Sequence, residues 1–143
     1  MHTLQTLRYY CTETLKMKSS LRSLLLAAIE LDEQKLAEIF YYSEYSLDRF
    51  RKKLMNCLLG RLEEEMLVKS VIKTYDSPTG YHLLLAICNA NMPLVQELVN
   101  DGIDLNLFRK NIEDHLKAAE DKLFHEGEFQ PQPLIDTNKI IFN

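Results

Sequence analysis

Apolar residues along this 143-residue chain recur at steps of three and four and seldom alternate. That is the period of helices with one buried face, not of strands. In residues 3–18 the stripe is Leu4, Leu7, Cys11 and Leu15, with Arg8, Lys16 and Lys18 on the polar side, and it predicts an N-terminal helix. Residues 21–42 predict a helix pair. Ala27 and Ala28 permit a close helix approach, and Asp32 is placed to cap the helix that carries Leu36, Ile39 and Phe40. Residues 46–74 predict a second pair, broken near Gly60-Arg61.

The most informative stretch is residues 76–106. A turn cluster over 76–80 leads into an apolar run over 83–87, followed by a polar break over 89–91. Leu94, Val95, Leu98 and Val99 then mark one face of a second helix. Asn91 is its expected N-cap, and Pro93 falls in the first turn, where a missing N–H is harmless. Gly102 is the expected stop, free to take the left-handed conformation at C′. Helices this short are marginal alone, because nucleation is costly and few turns follow it. They need neighbours of the same kind.

The second-helix pattern does recur, around Leu36, Val68 and Val95. The intervals are uneven but near the ankyrin length of about 33 residues. Residues 83–106 resemble an ankyrin repeat. Leu83, Ala86, Val95, Leu98, Val99, Gly102, Asp104 and Asn106 match or nearly match its pattern of Thr-Pro-Leu-His, Ala-Ala, Val-x-x-Leu-Leu and Gly-Ala-Asp-Val-Asn. In this register Tyr81-His82 stands where the family has Thr-Pro, and Leu84 where it has histidine. The expected architecture is all-α: a short ankyrin-like helical solenoid of about three helix pairs with capping helices at both ends. Residues 1–20 form the N-terminal cap, 21–106 the repeats, 107–126 a capping helix along Phe108, Ile112, Leu116, Ala119 and Leu123, and 127–143 an extended tail. The tail holds Gln130-Pro131-Gln132-Pro133 and an apolar Lys139-Ile140-Ile141-Phe142, suited to docking back or to pairing with a partner as an added strand. An unrelated, self-associating helical bundle is the alternative.

The resemblance implies a non-catalytic module whose concave face, built from turns and first helices, holds another protein. On this chain that face would include Tyr42, Tyr45, Tyr75, Asp76, Tyr81, His82 and Phe108. The three tyrosines of Tyr41-Tyr42-Ser43-Glu44-Tyr45 suit contact surface, since a ring buries area at low entropic cost. Small divergent ankyrin-like chains also occur in intracellular bacteria as proteins delivered into host cells. By that analogy the chain is an adaptor, regulator or effector of the cytoplasm or host cytosol.

Composition narrows the classes. A net charge of −4 argues against a general nucleic-acid binder. No run of about 18 apolar residues predicts a membrane span. Arg49, Arg51, Lys52 and Lys53 form a basic run, read as a solvated face that bridges to Glu63, Glu64 and Glu65 across the second pair. Cys11, Cys57 and Cys88 are odd in number and far apart, which favours free thiols. His2, His82, His115 and His125 show no metal-ligand spacing with them, so neither metal nor cofactor is expected. A small enzyme using Cys and His is the remaining catalytic alternative, because such pairs meet only in space.

Overall fold

A computed structural model describes residues 1–57, 60–90 and 92–129, with side chains as far as Glu120. Among the described residues there are eight helices: α1 (Leu4–Glu13), α2 (Leu21–Leu31), α3 (Glu33–Tyr42), α4 (Leu47–Asn56), α5 (Arg61–Thr74), α6 (Gly80–Asn89), α7 (Pro93–Asn100) and α8 (Leu105–Phe129). The fold is all-α, and the helix pairs fall where the periodicity puts them. None of these helices is long and apolar enough to cross a membrane. The first compact unit is Met1–Ile112, and a second begins at Glu113.

Caps explain most of the boundaries. Ser20 and Ser23 form a reciprocal box at the start of α2, with Ser20 N–H donating to Ser23 Oγ at 2.7 Å and Ser23 N–H to Ser20 Oγ at 3.2 Å. Ser46 Oγ accepts the backbone N–H groups of Asp48 and Arg49 at the start of α4. α1 stops at Glu13, short of residue 18, and the chain turns through Lys16 at φ 55°. α6 starts at Gly80, inside the expected turn cluster. Asp32 occupies the N-cap position of α3 but makes no capping bond. Its carboxylate instead accepts from His2 N–H at 3.1 Å and faces His2 Nδ1 at 2.8 Å. Pro93 opens α7 as expected, but the N-cap position is held by Met92, and Asn91 lies outside the described residues.

Two helices end in the same way. At the end of α7, Ile103 N–H reaches Leu98 O at 3.0 Å and Gly102 N–H reaches Val99 O at 3.1 Å, with Gly102 at φ 105°. This is a Schellman stop, closed by the buried Ile103 and Leu98. At the end of α3, Tyr45 N–H reaches Phe40 O and Glu44 N–H reaches Tyr41 O, both at 3.0 Å. There the left-handed position is Glu44, at φ 58°. A β-carbon is tolerated poorly in that region and glycine freely. Opposite signs follow for two exchanges. Gly102→Val should destabilise by about 1–2 kcal/mol, and Glu44→Gly should stabilise by about 0.5–1 kcal/mol. Urea unfolding curves on the two variants test both, and equal effects would mean that the backbone at one site is misassigned.

Helix α2 sits at the centre of the first unit. Leu21, Ser23, Leu24, Leu25, Ala27, Ala28 and Ile29 are all buried, the mark of a helix enclosed on most sides. It touches α1, α3, α4, α5 and α6. The α2–α6 contact joins the first pair to the third, whereas repeats in a linear stack touch only their neighbours. Approach there is close: a β-carbon on Gly80 would lie 3.0 Å from Ala28 Cβ. α1 is tied to the start of α6 as well, by a bridge between Thr3 and Thr79 and by Leu4 N–H donating to Pro78 O at 2.7 Å. α4 packs on α7, and α5 on α6.

The aromatic part of the core gathers on Phe40. Its ring centroid lies 4.8 Å from Phe50, 4.9 Å from Phe108 and 6.4 Å from Tyr45. Along α8 the expected stripe is only partly buried. Phe108 and Ile112 are in the core, Leu116 is half-buried and Ala119 is exposed. Burial therefore fades where the first unit ends. Residues 127–129, expected as tail, continue the helix. Gln130-Pro131-Gln132-Pro133, Lys139-Ile140-Ile141-Phe142 and the side chain of Leu123 lie outside the described residues.

Candidate functional site

The seven residues expected on one face are not brought together as one surface. Tyr45 is 7%, Tyr81 4% and Phe108 1% exposed, so these three lie mainly in the core. Tyr42 and Asp76 are exposed, and Tyr75 is partly so. Tyr75 and His82 do meet, with ring centroids 4.4 Å apart. The His82 ring also faces Thr79, whose N–H donates to Nδ1 at 2.9 Å and whose Oγ1 lies 3.1 Å from the same nitrogen. Thr79 and His82 thus form a reciprocal capping box at the start of α6. Burial, then the charges of Asp32 and Glu38, push the Tyr81 hydroxyl up to about 12.

What is exposed is the end of α3. Tyr41 is 77% and Tyr42 56% exposed, and their rings meet edge to face at 5.5 Å. They border a shallow hollow of about 550 Å³ with Glu44, Tyr45 and Ser46. Several hydrogen bonds hold the turn beneath. The Schellman stop turns Tyr45 inward onto Phe40, and its hydroxyl donates to Asp101 Oδ2 at 2.6 Å. Arg49 donates to Asp101 Oδ1 at 3.0 Å, and its guanidinium lies 5.6 Å from the Tyr45 ring centroid. Burial, then the bond to Asp101, push the Tyr45 hydroxyl well above its ordinary value. The hydrogen bond from Tyr45 holds the Asp101 carboxyl below its ordinary value, helped by Arg49 and Lys53 and opposed by burial. Asn111 adds a further clamp, donating to Ser43 Oγ at 2.9 Å.

Arg49 therefore tethers α4 to the end of α7 while its side chain stays exposed, as expected of a solvated face. The other charges pair locally: Asp48 with Arg51 at 4.0 Å and with Lys52 at 3.3 Å, and Arg61 with Glu65 at 3.9 Å. Among the described residues no ion pair links the basic run to Glu63, Glu64 or Glu65.

A second surface has no counterpart in the sequence reading. A groove of about 420 Å³ runs between the α1–α2 junction and α5. Leu21, Leu24, Val68 and Ile72 give it an apolar lining, and Arg8, Lys18, Arg61 and Lys69 surround it with positive charge. Glu64 and Glu65 also line it, and Glu64 Oε1 is shielded from solvent with no hydrogen-bond partner. The signal was available in α5, where only Val71 is buried although Leu62, Met66, Leu67, Val68 and Ile72 are apolar too.

All three cysteines are buried, and burial opposes ionisation of Cys11 and Cys57. Burial raises Cys11, whose Sγ donates to Ser23 O at 3.1 Å. Burial, then a hydrogen bond with Glu97, pushes Cys57 up to about 11. Thiols that resist ionisation are poor nucleophiles and poor metal ligands at neutral pH. Among the described residues no group of His, Cys, Asp and Glu is arranged to hold a metal ion.

No protein-family model matches the chain, and no curated protein or solved structure is similar enough to be matched.

Proposed function

We propose that the protein is a non-catalytic protein-interaction module of ankyrin-like construction, an adaptor or regulator that meets its partner through the tyrosine corner at the end of α3. The observation that carries this reading is the exposed Tyr41–Tyr42 pair at the end of α3, beside a hydrogen-bonded turn. Large rings fixed before binding lose little freedom when a partner covers them, so most of their buried area becomes affinity. The helix pairs, the Thr79–His82 tie and the Gly102 stop support the ankyrin-like element. The α2–α6 contact makes it a closed cluster around α2 rather than an open stack. Buried thiols that resist ionisation favour contact over catalysis as its role.

The test is capture with the intact chain, followed by mass spectrometry and by the double variant Tyr41→Ala, Tyr42→Ala. Both side chains point into solvent, so the helical spectrum should not change. Affinity for the captured protein should fall by roughly 30-fold or more, as for a lost pair of aromatic anchors. Undiminished capture would discard this corner. Self-association is the second reading, favoured by Leu62 at 67% and Met66 at 62% exposure on α5. Light scattering that finds a dimer, abolished by Leu62→Glu and Met66→Glu, would establish it.

A further inference from the structure

We propose that the groove between the α1–α2 junction and α5 is a second binding site, one that takes a short acidic peptide segment bearing an apolar side chain. It shares no residue with the tyrosine corner, so either site can fail without the other.

Size comes first. At about 420 Å³ the groove is in the range of ligand clefts, about 300–1,000 Å³, and its lining of Leu21, Leu24, Val68 and Ile72 suits an aliphatic or aromatic side chain. Charge comes second. Arg61 is matched by Glu65, but Arg8, Lys18 and Lys69 make no ion pair among the described residues. With four cations against Glu64 and Glu65 the lining is net positive on a chain of net charge −4, and it calls for an anionic occupant. The third observation chooses among anions. Glu64 Oε1 is shielded and unpartnered, and a polar atom in that state gains from any hydrogen-bond donor brought to it.

An acyl carboxylate would satisfy the cations and the apolar lining but has no N–H for Glu64, and its hydrocarbon would lie beside a carboxylate. A nucleic acid would bring phosphates, but the lining holds no aromatic ring for a base to stack on. A peptide supplies all three parts: acidic side chains for Arg8, Lys18 and Lys69, one apolar side chain for the lining, and backbone N–H groups that Glu64 meets by turning its side chain.

The test uses the intact chain and an array of synthetic decapeptides in which the number of acidic residues and the presence of one Leu or Phe are varied. Peptides with acidic residues flanking the apolar one should be retained at least about tenfold better than the same peptides with Lys in place of the acids. The double variant Lys18→Glu, Lys69→Glu should invert that preference, with an unchanged helical spectrum because both side chains are exposed. Glu64→Leu should separate stability from binding: a melting temperature raised by a few degrees and peptide affinity lowered about tenfold. Several results would overturn the assignment: no retained peptide, a preference unmoved by the lysine reversals, or peptide affinity unmoved by Glu64→Leu. So would displacement by dodecanoate at comparable concentration, or a dimer that the lysine reversals dissociate, because each puts a different occupant in the groove.

Discussion

Truncating Phe40 to alanine should lower the stability of the protein by about 3–5 kcal/mol, measured by urea unfolding. The ring is 1% exposed and touches three others, Tyr45, Phe50 and Phe108. Those neighbours come from the α3–α4 turn, α4 and α8, so a cavity at Phe40 loosens three elements at once. Collapse around the void is hindered. Tyr45 is held by Asp101, and Asn111, on the same helix as Phe108, is held by Ser43. The cost should thus fall toward the upper part of the range for buried aromatics. Tyr41→Ala, one residue further along the helix, should change stability by no more than about 0.5 kcal/mol, since its side chain is in water. A Phe40→Ala loss as small as that of Tyr41→Ala would mean that the aromatic cluster does not hold the core.

Enlarging Ala28 to leucine should cost about 3 kcal/mol, at the high end for overpacking. Ala28 is fully buried on the face of α2 that meets α6, and its Cβ lies 3.0 Å from where a β-carbon on Gly80 would stand. Backbone cannot rotate out of the way as a side chain can. Three extra carbons must therefore push α6 off α2 or force the leucine into a poor rotamer. Thermal melts of Ala28→Leu test this, and an unchanged melting temperature would mean that α6 yields to the larger side chain.

Helix content was legible because the apolar period was regular, and the ends were legible where one residue type decides them, as Gly102 does. Elsewhere the sequence held a usable signal under another reading. Thr79 and His82 stand three apart, the spacing of a capping box, with histidine taking the part that Glu or Gln usually plays. Tyr45 could also have been assigned to the core. It follows the stop of α3 by one residue and precedes the cap of α4 by one. Those two positions pair with Phe40 and Phe50, five residues to either side. The groove was less accessible. Its residues come from segments some forty positions apart, and no local pattern says that Val68 and Ile72 face Leu21.

One consequence of the α2–α6 contact concerns how the chain could grow. An open array accepts an added or deleted unit, because each unit asks only for the two beside it. Here the third pair closes against the first, so a unit inserted after Thr74 would have to wedge between α2 and Gly80. A pair added at that point would therefore break the α2–α6 contact instead of lengthening the stack.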